Sequence, residues 1–168
     1  MTSQNRRDQI LNFVMKNPGY HFRGIQRALR VPTGVLQYHL NLLIKDNEII
    51  TREINGTTCY FPNRTLKEEQ FIIFSHLRNG VRNRILRVML DGRARSPSEL
   101  LKEVTVSAPT LSYHLSLMVE DGILEKILLE KGVGYRIKDL ELFRGLILAY
   151  KESFADRLIQ DFISLWDR

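Results

Sequence analysis

A single cysteine, Cys59, stands among the 168 residues. One thiol cannot close an internal disulfide, and it supplies no CxxC metal site. The four histidines, His21, His39, His76 and His114, form no HExxH or HxxxH pair, so no metal and no other cofactor is expected. No apolar run reaches the roughly 18 residues a membrane helix needs. Residues 1–8 hold no apolar stretch like that of a secretory signal. No membrane partner is therefore expected, and the cytoplasm is the expected location. There is no nucleophile-base pair, phosphate loop or paired carboxylates in a recognisable frame, so an enzyme is not expected either.

What is present is an ordinary globular balance, with 43% hydrophobic and 26% charged residues. A packed core is within reach of such a chain. The net charge is +6, which favours an anionic partner without naming it. Its distribution says more. Residues 1–64 carry nine Lys/Arg against four Asp/Glu, residues 65–138 twelve against nine, and residues 139–168 four against six. The first segment is the better candidate for a polyanion surface, and the last is not.

The chain repeats itself. Val31-Pro32-Thr33-Gly34-Val35-Leu36-Gln37-Tyr38-His39-Leu40-Asn41-Leu42 aligns with Val106-Ser107-Ala108-Pro109-Thr110-Leu111-Ser112-Tyr113-His114-Leu115-Ser116-Leu117. The same ungapped shift of 75 residues sets Arg7, Ile10 and Leu11 on Arg82, Ile85 and Leu86, Asp46 on Asp121, and Tyr60 on Tyr135. Two copies of one domain are the expected organisation.

Each copy reads as three helices and a hairpin. In the first, Ile10, Leu11 and Val14 give one face of a helix over residues 6–15. Asn17-Pro18-Gly19 stops it. A short helix is expected over 22–29, burying Phe22, Ile25 and Leu29, and a third over 33–45. Strands over 49–54 and 57–61 flank Asn55-Gly56, where both residues tolerate φ > 0. In the second copy, Asp91-Gly92 ends a helix over 81–90. Ser96-Pro97-Ser98-Glu99 reads as a capping box, and Ser107 reads as the N-cap of the third helix. The runs 123–129 and 133–137 flank a turn at Gly132. Between the copies, Phe71, Ile72, Phe74 and Leu77 predict a docked helix rather than a flexible tether. After them, Phe143, Ile147, Tyr150, Phe154, Leu158, Phe162 and Leu165 approach a heptad stripe. They predict one helix over 140–166 that packs on its own domain or pairs two chains into a homodimer.

Helix, helix, helix, hairpin is the order of a winged helix-turn-helix. With Asn17 to Ile25, Gly34 to Leu40 and Tyr60-Phe61-Pro62, the chain resembles winged-helix transcription regulators common in archaea, related to the arsenic-repressor and multiple-antibiotic-resistance repressor groups. The resemblance covers roughly 6–62 and 81–137. It implies a mainly α fold with small β-hairpin wings, and double-stranded DNA as partner. Pro32 stands where the family has a serine cap, and the wing tip Asn55-Gly56-Thr57-Thr58 lacks its usual Arg or Lys. The arsenic-repressor metal cysteines are absent, so metal sensing of that type is not carried over. The expected organisation is a first domain at 1–64, a helical linker at 65–80, a second domain at 81–138 and a C-terminal amphipathic helix at 139–168.

A helix that reads DNA needs polar groups outward and cations around it. At 100° per residue, Leu36, Leu40 and Leu43 share the core side of the third helix. Gly34, Tyr38, Asn41 and Lys45 lie opposite, flanked by Thr33 and Gln37. Gln37 and Asn41 can meet an adenine edge, Thr33 a phosphate or thymine methyl, and Tyr38 a phosphate or sugar. Arg23, Arg27 and Arg30 around the second helix, with Arg52 at the wing, are candidates for phosphate. His39, recurring as His114, is expected at the core edge with one ring nitrogen satisfied by the backbone. The second copy presents Ala108, Pro109, Ser112, Tyr113, Ser116 and Glu120, with no cation on that face, although Arg93, Arg95, Lys102, Lys126 and Lys131 lie nearby. It is expected to bind DNA more weakly through Ser112, Tyr113 and Ser116, or to act as a spacer or dimer surface. The competing expectation is a tandem winged-helix protein-interaction module in a larger assembly.

Overall fold

A computed structural model describes residues 3–154. It divides into two compact units, 1–75 and 76–168, and the division falls inside one helix.

In the first unit, α1 (Ser3–Lys16) is followed by β1 (Tyr20–His21), α2 (Phe22–Leu29), α3 (Thr33–Lys45), β2 (Ile49–Ile54) and β3 (Thr57–Pro62). The three strands form an antiparallel sheet in the order β1-β3-β2. Asn55 and Gly56 take φ of 51° and 69° between the paired Ile54 and Thr57, the geometry that a tight hairpin requires. Ile10, Val14, Ile25, Leu36, Leu40, Leu43 and Ile49 form the core. The helical period places the members on α1, α2 and α3 on inward faces, and Ile49 enters from the first residue of β2. β1 is only two residues long, too short for any periodic signal to mark it in the sequence.

The connecting residues form α4 (Glu68–Leu77), a docked helix as expected. Its Phe71 meets Phe61 edge-on at 4.8 Å. A Cβ on Gly19, which holds φ 88°, would fall 2.8 Å from the Phe74 Cβ. Only glycine suits that position, because it needs both the left-handed backbone and the missing side chain.

The second unit repeats the plan with α5 (Gly80–Val88), α6 (Pro97–Glu103), α7 (Ala108–Glu120), β4 (Leu124–Leu129) and β5 (Gly132–Ile137). The shift of 75 residues carries the bounds of α3, β2 and β3 onto those of α7, β4 and β5 without an offset. Ser96 and Glu99 form the capping box of α6, and Ser107 caps α7. Gly132 is the first residue of β5 and pairs with Leu129, so the tight turn is Glu130-Lys131 rather than Gly132 itself. The counterpart of β1 is a single bridge between Arg95 and Tyr135.

The expected single helix over 140–166 is not what forms. α8 (Leu140–Ala149) ends at Tyr150, and a short 3-10 turn, Lys151–Phe154, follows. The reason is local packing. Phe143, Ile147 and Phe154 are all buried, and the Arg78 guanidinium sits 4.5 Å from the Phe154 ring centroid while donating to the Ser153 hydroxyl. A straight continuation of α8 would give up those contacts. Leu158, Phe162, Leu165 and Trp166 lie outside the described residues. No helix among the described residues is long and apolar enough to cross a membrane. Among the same residues, no group of three or more His, Cys, Asp or Glu is placed to hold a metal ion.

Candidate nucleic-acid interface

The third helix of the first unit splits along its axis into two faces. Leu36, Leu40 and Leu43 have no exposure. Thr33, Gly34, Gln37, Tyr38, Asn41 and Lys45 are all exposed, and Val35 joins them at the edge. Two contacts order this face. Gln26 Nε2 of α2 donates to Thr33 Oγ1 over 2.8 Å, and Gln37 Nε2 donates to Asn41 Oδ1 over 2.9 Å. Nothing in the spacing of Gln26 marks it in the sequence as a side chain that braces the neighbouring helix. Tyr38 is 57% exposed, and its ring rests edge-on against His39.

The cations of the neighbouring helix and of the end of α3 are open to solvent. Arg23, Arg27, Arg30 and Lys45 are exposed, and none has an ion pair among the described residues. Arg30 sits at the C-cap of α2 in the left-handed region. The positive field is felt at His21, whose pKa is lowered first by burial and then by the charges of Arg27 and Arg23. His21 is itself the N-cap of α2, accepting from the Gly24 N–H at Nδ1 over 3.3 Å, a role that requires the neutral ring. Arg52 differs from the others. Its guanidinium lies 4.9 Å from the Phe71 centroid and donates to the Thr51 carbonyl. Reaching a phosphate would require it to leave a cation–π contact worth about 0.5–1 kcal/mol at an exposed site.

The start of α3 carries no side-chain cap, because Pro32 occupies the N-cap. Its first-turn N–H groups are therefore left to an outside acceptor, and an anion is the favoured one. In α7 the Ser107 hydroxyl already takes the Thr110 N–H.

His39 is buried, but its Nδ1 has no hydrogen-bond partner, and the same holds for His114 Nδ1. The expected backbone partner is absent in both copies. Position on the helical wheel located the rings at the core edge but could not show that no carbonyl comes within reach.

The second unit keeps the geometry and loses the chemistry. Ala108, Pro109, Ser112, Tyr113, Ser116 and Glu120 are exposed on α7, with an acid where α3 has Lys45. Arg95 pairs with Asp91. Arg95 and Lys102 line a cleft of about 420 Å³ together with Glu99 and Glu103, so acids stand beside these cations. The wing presents Leu128 at 87% and Val133 at 45% exposure as cross-strand partners. The matching positions of the first wing are Glu53 and Thr58.

Residues 4–73 match the model of an N-terminal HTH domain, and residues 77–127 match that of a Helix-turn-helix domain. An uncharacterized HTH-type transcriptional regulator of Methanocaldococcus jannaschii, MJ1398, is 26% identical over 119 residues, which cover 71% of this chain. The chain spans about 30% of that relative's length. Among solved structures, Rv0081 of Mycobacterium tuberculosis aligns with a TM-score of 0.45 at 24% identity, covering 56% of this chain and 92% of that one. The transcriptional repressor BigR of Xylella fastidiosa aligns at 0.39 and 26%, covering 46% and 81%. The two consecutive helix-turn-helix matches, together with the fold, define a tandem winged helix-turn-helix protein.

Proposed function

We propose that the chain regulates transcription by placing α3 of its first unit in the major groove of duplex DNA, with the first unit supplying most of the affinity and sequence choice. The observation that carries this is the exposed, largely polar face of α3, which ends in Lys45, together with the exposed Arg23, Arg27 and Arg30 on and at the end of α2. Thr33, Gly34, Gln37, Tyr38, Asn41 and Lys45 face the groove, the arginines of α2 take phosphates, and Arg52 is a secondary phosphate contact. Ser112, Tyr113 and Ser116 give the second unit a weaker contact. No catalytic step is assigned to the chain. Kinship with the arsenic-repressor and multiple-antibiotic-resistance repressor groups belongs to the same proposal, supported by the winged helix-turn-helix plan of both units.

For the second unit a protein contact is the alternative. Exposed Leu128 and Val133 and the acid at Glu120 favour it. A homodimer through the C-terminal segment is also part of the proposal. The described part of the stripe is covered within its own unit, so pairing would rest on Leu148, 46% exposed, and on residues 155–168. Light scattering on the full chain and on a chain ending at Phe154 separates the cases, with a dimer only for the former.

Salt titration of duplex binding tests the central reading. Neutralised phosphates release counterions, so affinity should fall about a thousandfold between roughly 50 and 200 mM salt for six or more contacts. Absence of binding at the lower salt would contradict it and favour the protein-interaction alternative.

A further inference from the structure

We infer that α3 reads A·T base pairs, with Gln37 and Asn41 acting together as one hydrogen-bonded adenine reader. This rests on the DNA-binding reading above and deepens it. The bond from Gln37 Nε2 to Asn41 Oδ1 joins two exposed amides one turn apart. Whichever amide donates, the linked pair keeps one outward carbonyl oxygen and one outward NH₂ group. Adenine offers the complement on its major-groove edge, an acceptor at N7 and a donor at the N6 amino group. Guanine offers two acceptors, N7 and O6, and would leave the amide oxygen unpaired. Cytosine offers a donor and no acceptor.

The rest of the face agrees. Guanine is most often read by Arg or Lys. The only cation on the exposed stripe of α3 is Lys45, in the last turn, whereas recognition helices contact bases mainly with their N-terminal residues. Gly34 lies three residues before Gln37 and seven before Asn41, on the same stripe. A Cβ at Gly34 would meet nothing within 4 Å, and its φ is not positive. The fold does not require a glycine here. A bare backbone at this point lets the helix sit deep enough for a side chain as short as Asn41 to reach a base edge. Thr33, with its Oγ1 already accepting from Gln26, still has a hydroxyl hydrogen to donate to phosphate and a methyl to set against thymine.

The test uses the full chain and a pool of random duplexes. An enriched duplex is rebuilt with single adenines replaced by 7-deazaadenine, and separately with single guanines replaced by 7-deazaguanine. Both bases still pair but lack the N7 acceptor. Binding is read by fluorescence anisotropy, with circular dichroism confirming that each variant is folded. The expected result is about a tenfold loss at one or two adenine positions, and changes within about twofold at guanines. The adenine sensitivity should vanish in Asn41→Ala. Dependence on guanine N7, or adenine sensitivity that persists in Asn41→Ala, overturns the inference while leaving DNA binding intact. If no duplex is enriched at about 50 mM salt, the DNA-binding reading fails and this inference with it.

Discussion

His76 Nε2 lies 2.8 Å from Asp121 Oδ2, and the histidine side chain is fully buried. On the other side of the ring, Arg82 Nη1 donates to Nδ1 over 3.1 Å. A ring that accepts at Nδ1 carries its proton at Nε2 and donates it to Asp121. Asp121 is the C-cap of α7, so this chain of bonds ties the entry of the second unit to the end of its third helix. The first unit makes the equivalent link directly, with Arg7 2.8 Å from Asp46 and 2.7 Å from Glu48.

The His76 array predicts acid sensitivity. Burial, and then the charge of Arg82, push its pKa down from 6.5 to about 4, against the opposing pull of Asp121. The unfolded chain therefore binds more protons than the folded one in that window. Stability is fully present above about pH 6.5 and is lost as pH falls toward 4, by on the order of 3 kcal/mol. His21 and His114 shift in the same direction. Urea denaturation at about pH 7.5 and about pH 5 should show a smaller drop for His76→Gln than for the wild type. Equal drops would mean that His76 does not control the titration.

Gly34→Ala should separate stability from binding. The added methyl meets no neighbour, and removing a helical glycine stabilises by roughly 0.5 kcal/mol. Thermal denaturation should show a small rise, while anisotropy shows weaker duplex binding. A variant that binds DNA as well as the wild type would remove the argument for close backbone approach.

Phe154→Ala should destabilise the second unit by about 3 kcal/mol, since it removes a buried ring that holds the turn after α8. The first unit should be unaffected. Hydrogen exchange resolved by segment would show it, and uniform loss of protection across both units would contradict the assignment.

Most of the fold could be read from the sequence because it occurs twice. The ungapped shift aligned Leu36, Leu40 and Leu43 with Leu111, Leu115 and Met118, and all six are buried. The outward face of α3 followed from the same periodicity. What periodicity cannot carry is tertiary contact. The stripe from Phe143 onward has helical spacing on both sides of Tyr150, whereas α8 ends at Ala149 and the turn after it is held by Phe154 burial and by the contacts of Arg78 with Phe154 and Ser153. The seat of Arg52 on Phe71 and the brace from Gln26 to Thr33 likewise join residues that no local pattern links.

The central claim is that two units of one architecture divide their labour, the first choosing the DNA sequence. It is tested most directly by anisotropy on one selected duplex with two double variants, Gln37→Ala with Asn41→Ala and Ser112→Ala with Ser116→Ala. The first pair should lose about 1–3 kcal/mol for each base contact and relax sequence preference, and the second pair should lose much less. Equal losses from the two folded variants would contradict the claim.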